Sequence, residues 1–364
     1  MKTFIEFERE QLRPDAEALG FELEGDRWTK RIDGQPVTAA LNHRTQANEL
    51  PTVIFHAPLA RPLDLGLTIQ TRSFAGLFGN DDPFEAEFDA KADEAERRAA
   101  LLGAGLRDFL MRQHAASQVP YLSDRGAFVS TTLPLDMSAH GVGQLLALVV
   151  RSTAALAAAA KDVPPARPHA HRVSALERWA TTRGLSTART PLLVEGTVDG
   201  RPVALVSQRT DEHAYAFTIE VGFATPLGLG LAIEPGGVWD VVSALVGAGS
   251  SASADSPRLD RLGEAFGIED RRVGHAAFDR RFQVRALNEA VAELPRRLDD
   301  KVAEEMLALH GNHGQIRVDD RRIVLEHVRS DGPTEALLEL VSRVAVLAAA
   351  LEGTPRVESS GPYR

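Results

Sequence analysis

The sequence predicts an α+β fold made of two tandem homologous units, each a mainly antiparallel sheet covered by a long C-terminal helix. Three observations carry this. Four segments recur in the same order in both halves of the chain. Strand-like stretches precede a helix, a hairpin and a terminal helix, instead of alternating as in a doubly wound fold. And 364 residues exceed the roughly 100–200 that one average domain holds.

The recurrences run from front to back. Ile32-Asp33-Gly34-Gln35-Pro36-Val37 mirrors Val198-Asp199-Gly200-Arg201-Pro202-Val203, and Leu63-Asp64-Leu65-Gly66-Leu67-Thr68-Ile69 mirrors Leu227-Gly228-Leu229-Gly230-Leu231-Ala232-Ile233. A Phe-x-x-x-Phe follows in each half, at Phe84/Phe88 and Phe278/Phe282. The last helices align without gaps, setting Leu145 to Arg151 against Leu337 to Arg343. The offset grows between the second and third matches, so the second half carries an insertion of roughly 28–30 residues, at about 235–275. Within it, Val238 to Val246 has helical apolar spacing and 247–257 has the composition of a flexible loop.

Within the first half, residues 5–19 read as a short helix ending at Gly20. Arg27–Ile32 and Val37–Asn42 read as strands joined at Asp33-Gly34, a pair suited to a type I′ turn because both central residues need positive φ. Pro51–His56, Leu63–Thr71 and Phe84–Ala90 are further candidate strands. Ala95–Gln113 reads as helix, divided near Gly103 and Gly105, and Val119–Leu122 with Ala127–Leu133 flank a second turn at Ser123-Asp124-Arg125-Gly126. Its counterpart is Gln315–Val318 with Arg322–His327. The domain reading is therefore 1–160, a Pro-rich linker at 161–172 where proline cannot continue a helix, 173–353, and a mobile tail at 354–364. Two such units are expected to sit about a pseudo-twofold axis, by analogy with identical subunits.

Asn80-Asp81-Asp82-Pro83-Phe84-Glu85-Ala86-Glu87-Phe88, an alanine-rich helix up to Phe109-Leu110, and then a hairpin resemble an uncharacterised bacterial domain family. In that family an acidic Asp-Pro-x-Phe-x-x-x-Phe segment precedes a helix and a two-stranded element. The likeness spans about 70–80 residues per half. It implies a structural module with no known activity, whose members often follow transmembrane helices. The order of elements is also similar to the α+β secretion-chaperone fold, in which a twisted sheet flanked by helices holds an unfolded partner segment.

Chemistry is sparse. Without cysteine there is no disulfide, thiolate nucleophile or iron–sulfur cluster. No P-loop, His-Glu-x-x-His or Gly-x-Ser-x-Gly occurs, and Gly141-Val142-Gly143 lacks the third glycine of a dinucleotide fingerprint. His310-x-x-His313 has metal-compatible spacing but reads as a polar loop, and His169-Ala170-His171 as solvated linker. Arg151 and Arg343 occupy one duplicated position inside apolar helices, and each should pair with a carboxylate or lie on the exposed face. Trp28, Trp179 and Trp239 read as packing, and Asp81-Asp82 and Asp299-Asp300 as helix-start acids. No catalytic, cofactor or metal residue is assigned.

A net charge of −10 argues against nucleic acid. The chain start lacks a secretory pattern, and the apolar runs Leu145–Ala160 and Ala336–Leu351 read as shorter than a bilayer span of roughly 20 residues. The expectation is a cytoplasmic, non-catalytic binding or assembly protein with an unknown protein partner and no membrane contact. The alternatives are a small-ligand binder with a cavity between sheet and long helix, a secretion-chaperone-like binder and, last, an unrecognised enzyme.

Overall fold

The computed structural model describes residues 12–24, 27–42, 52–72, 82–116, 119–132, 139–210, 214–236, 268–329 and 331–353. Two compact units divide the chain: Met1–Arg167 with Arg189–Pro191, and Pro168–Ala188 with Leu192–Arg364. The first unit opens with helix α1 (12–18), which Gly20 ends at φ 73°. Its strands are β1 (Glu22–Glu24), β2 (Arg27–Ile32), β3 (Gln35–Asn42), β4 (Thr52–Pro58), β5 (Thr68–Thr71), β6 (Phe88–Lys91), β7 (Tyr121–Ser123) and β8 (Gly126–Thr132). They form one sheet in the order β1-β2-β3-β4-β8-β7-β5-β6. Helices α2 (Pro83–Glu87), α3 (Ala95–Leu101), α4 (Ala104–Ala115) and α5 (Ala139–Ala160) complete the unit.

The second unit repeats this plan. Helix α6 (Val173–Thr181) precedes β9 (Ser186–Arg189), β10 (Leu192–Val198), β11 (Arg201–Arg209), β12 (Tyr215–Gly222), β13 (Ala232–Pro235), β14 (Ile268–Arg271), β15 (Phe282–Leu287), β16 (Gln315–Asp319) and β17 (Arg322–Arg329). Read from β9, the sheet runs β9-β10-β11-β12-β17-β16-β13-β15-β14, the order of the first sheet with one strand added at its end. Helices α7 (Ala276–Arg281), α8 (Leu294–Arg297), α9 (Asp300–Asn312) and α10 (Thr334–Leu351) follow the same succession. The duplication is thus a repeated topology, and every described strand pair with a resolved register is antiparallel.

Two devices fix the repeat locally. The β2–β3 and β10–β11 hairpins turn through Asp33 (φ 50°) with Gly34 (81°), and Asp199 (50°) with Gly200 (78°), the positive angles a type I′ turn needs. Between β7 and β8, the Asp124 carboxylate accepts from the amides of Leu65 (3.3 Å) and Gly66 (2.8 Å). Asp320 does the same for Leu229, Gly230 and Leu231 at 2.7–3.1 Å. These bonds occupy backbone donors of a segment that belongs to no ladder, so Leu63–Leu67, expected as the first half of a strand, is instead a braced loop with Leu63, Leu65 and Leu67 buried.

Each core lies under the terminal helix. On α5, Val142, Leu146, Val149, Thr153, Leu156 and Ala160 are buried, a stripe at alternating four- and three-residue steps. Thr153 Oγ1 donates to Ala57 O (2.8 Å) and accepts from Ala127 N (3.2 Å), tying the helix to β4 and β8. In the first core, Arg97 and Asp64 form an ion pair at 1% and 0% exposure. Arg97 also donates to Asp64 O (2.7 Å) and Pro164 O (3.0 Å), so α3, the braced loop and the exit of α5 share one guanidinium.

The sheet ends differ. The Phe88 and Ala90 carbonyls of β6 accept from Arg72 Nε (3.1 Å) and Arg98 Nη1 (3.0 Å). In the second unit Val284, counterpart of Ala90, pairs with Arg271 of β14. One copy caps its edge with guanidinium groups and the other with a strand.

Several expectations need correction. Phe84–Ala90 is one helical turn followed by a strand, because Asp82 caps α2 through Phe84 N (2.9 Å) and Pro83 takes the first helical position. The linker expected at 161–172 does contain the division between the units, at 167/168, but it is folded: Val163, Ala166, His169 and Arg172 are buried, and Arg167–Arg172 forms a 3-10 turn. The prolines end α5 without expelling the chain from the core. Helix α5 runs over Ala139–Ala160 with Gly141 and Gly143 in its first turns, which they weaken without ending. Its stretch Gly141–Ala160 is, contrary to the sequence reading, long and apolar enough by length and composition to cross a membrane. The helix expected at Val238–Val246, the loop at 247–257, Trp239, Asp81 and the tail at 354–364 lie outside the described residues.

Two predictions follow from these bonds. Arg97→Met leaves the Asp64 carboxylate buried beside an apolar chain and should cost about 3–5 kcal/mol in urea unfolding, most of it recovered by adding Asp64→Leu. Burial pushes the Asp124 carboxyl up to about 6, against the pull of its amide donors. A carboxyl raised on folding binds its proton better in the native state, so stability should fall as pH rises from about 4 to 6 and level off above. Asp124→Asn should flatten that slope in denaturant midpoints measured across the window.

Candidate functional site

One groove open to a ligand builds up from helix α4 and the second half of α5. The α3–α4 break at Gly103 lets the chain turn, and Leu106 and Leu110 then point into the core. Leu106, with Leu101 and Ala100, also lines this groove of about 490 Å³ between the α3–α4 segment and the second half of α5. Its walls are small or apolar: Gly103, Gly105 and Phe109 from the α4 side, and Ala155, Ala158 and Ala159 from α5. Arg112 and Asp162 also line it; both are exposed, and no described residue bonds or pairs with either side chain.

The same place in the second unit has different chemistry. In the gapless register that sets Arg151 against Arg343, Ala155 and Ala159 fall against Leu347 and Leu351, which are 2% and 0% exposed within the second core. Aligning His114 with His310 sets Phe109 against Glu305, which is occupied by Arg343 Nε at 2.9 Å. The groove therefore marks where one copy carries alanine and the other leucine.

A second duplicated feature surrounds the Phe-x-x-x-Phe pairs. The Phe84 and Phe88 rings lie 4.8 Å apart with His114 edge-on to Phe88 at 5.6 Å; Phe278 and Phe282 lie 4.7 Å apart with His310 edge-on to Phe282 at 5.1 Å. The polar neighbour is reversed. His114 Nε2 meets Glu87 at 3.0 Å, whereas burial and then Arg281, the residue matching Glu87, hold the His310 imidazole below its ordinary range. Equal packing has been kept with opposite charge.

The remaining sequence-predicted residues fall as follows. Arg151 lies on the exposed face of α5, and Arg343 bonds Glu305 and, at 3.2 Å, His313 Nε2, so both follow the structural expectation. His310 lies within α9 and not in a loop, because the helix continues to Asn312 and buries its ring edge against Phe282. His169 is buried, not solvated, with its ring 4.6 Å from that of Phe217 and 5.3 Å from Tyr215. Trp28 and Trp179 are core residues, and Asp82 and Asp299 cap their helices. Among the described residues no group of three or more histidines and carboxylates could hold a metal ion. Sequence reasoning missed the groove, although the alanine-for-leucine exchanges were visible in the aligned helices. It also missed an aromatic row on the sheet face away from α5, where His56 and Phe128 stack at 4.1 Å and Tyr121 meets Phe128 edge-on.

The charge reversal is testable. Arg281→Glu, which installs the first copy's charge, should raise the titration midpoint of His310 followed by NMR. In the native protein a histidine held low stays neutral, so its contribution is present above its ordinary range and lost as pH falls through the lowered value. The variant should lose less stability on acidification.

No family model matches the chain, and no curated protein matches it. Among solved structures, the chain is similar to the crystal structure of the mycobacterial trehalose monomycolate transport factor A, TtfA, at a TM-score of 0.30 and 11% identity, over 51% of this chain and 98% of that one.

Proposed function

We propose that the protein is a non-catalytic binding or assembly protein that acts through protein–protein contacts, with the α4–α5 groove of its first unit as the contact surface. The observation that carries this reading is the divergence of the two copies at one place. The second copy closes its helix layer with Leu347 and Leu351, while the first leaves Ala155 and Ala159 beside open space. A groove walled largely by glycine, alanine and phenylalanine is the chemistry of a binding surface, since an exposed apolar patch otherwise favours aggregation. This reading takes the chain as two copies of the uncharacterised bacterial module, working in the cytoplasm, with α5 as a packing helix. A small-molecule site is the second reading, favoured by a volume within the range of ligand pockets. The groove, however, is lined by residues of α3, α4, α5 and their ends and by none of the sheet.

The test uses the absence of cysteine. A single Ala158→Cys variant, labelled with a benzophenone crosslinker and irradiated with candidate partners or in cells, should give a discrete protein adduct. The same label at the exposed Lys301 should not. Adding Ala155→Leu and Ala159→Leu should abolish the adduct. Equal adducts from both positions, or none from Ala158, would overturn the reading. Deleting 237–267 in the same assay tests whether the insertion is needed for capture.

A further inference from the structure

We infer that the groove takes one amphipathic helix of a partner protein, with leucine-like side chains seated over Ala155 and Ala159. This rests on the protein-binding reading above and names the occupant. The second copy supplies the first argument: where the first has alanine, it carries leucine, so the missing volume is aliphatic and branched. The walls supply the second. Two helices with glycine and alanine at the contact allow a third helix to approach closely, because interaxial distance is set by the side chains between. Seating apolar side chains at helical spacing into such a groove is a recurring mode of recognition.

Charge sets the direction. Arg112 stands about 10 Å along α4 from Gly105, at 1.5 Å per residue. Asp162 follows the end of α5, and that end is held near α3 by the Arg97–Pro164 bond, so it lies toward Gly103. The groove thus carries a cation toward one end and an anion toward the other. The partner helix presents an acidic residue to Arg112 and a basic residue to Asp162, with two or three aliphatic residues between. The matching positions of the second copy are Ala308 and Thr354, so this polarity belongs to the first copy alone.

The experiment uses the full-length protein and a fluorescein-labelled helical peptide with leucines at i, i+3, i+4 and i+7, glutamate at one end and lysine at the other. Fluorescence anisotropy should show saturable binding. Ala155→Leu with Ala159→Leu should weaken it at least tenfold, while circular dichroism and thermal unfolding confirm that the variant is folded. Arg112→Glu should abolish the preference between this peptide and one with the end charges exchanged, and Arg112→Glu with Asp162→Lys should reverse it. Equal binding by native and filled proteins would overturn the inference, as would equal binding of a proline-substituted peptide that cannot form a helix. So would lauric acid, rather than the peptide, occupying the groove. If the peptide fails while Ala158 still crosslinks a protein, the helical occupant is wrong and the protein-binding reading stands; if neither occurs, both fall.

Discussion

An antiparallel sheet with one apolar face has to be covered, and in each unit a single terminal helix does most of the covering. Other local choices are arranged around that demand. Thr153 reaches from α5 to the strands beneath it, and the aspartate between β7 and β8 holds a ladder-free loop against the same core. The side chains carried by the covering helix then decide what the outside of the unit looks like. Leucine at two positions closes the second unit, and alanine at the matching two leaves the first unit grooved.

Duplication frees one copy to change, but only where the framework tolerates it. The Asp-Gly turns and the aspartate braces recur with matching geometry because each solves a backbone problem that any copy of this topology meets. The contacts that differ are those between side chains. Glu87 has become Arg281 beside an otherwise equivalent Phe-Phe-His cluster, and the buried Arg97–Asp64 pair falls at Glu293 and Gly228 in the second copy.

Much of the architecture was legible in the residues, for identifiable reasons. The Asp33-Gly34 and Asp199-Gly200 pairs announce hairpins through φ preference alone, and the apolar spacing of the last helices announces their buried stripes. The failures share a cause, which is that tertiary bonds overrode local pattern. Leu63–Leu67 alternates like a strand, yet its amides are claimed by a carboxylate about sixty residues away. His169 sits among prolines and reads as solvated, yet two aromatic rings enclose it. The groove was the least legible feature, because a cavity is defined by what is missing from two helices at once, and neither helix alone displays it.

The arginine caps on β6 bear on how the protein behaves when crowded. An outermost strand is a template on which another chain can dock, and long open edges seed fibrils and domain exchange. With Arg72 and Arg98 already bonded to the Phe88 and Ala90 carbonyls, an incoming strand would have to displace two cations before it found an acceptor. At this edge of the first unit two side chains do the blocking, whereas in its sister the matching strand is covered by β14, which becomes the outermost strand in its place.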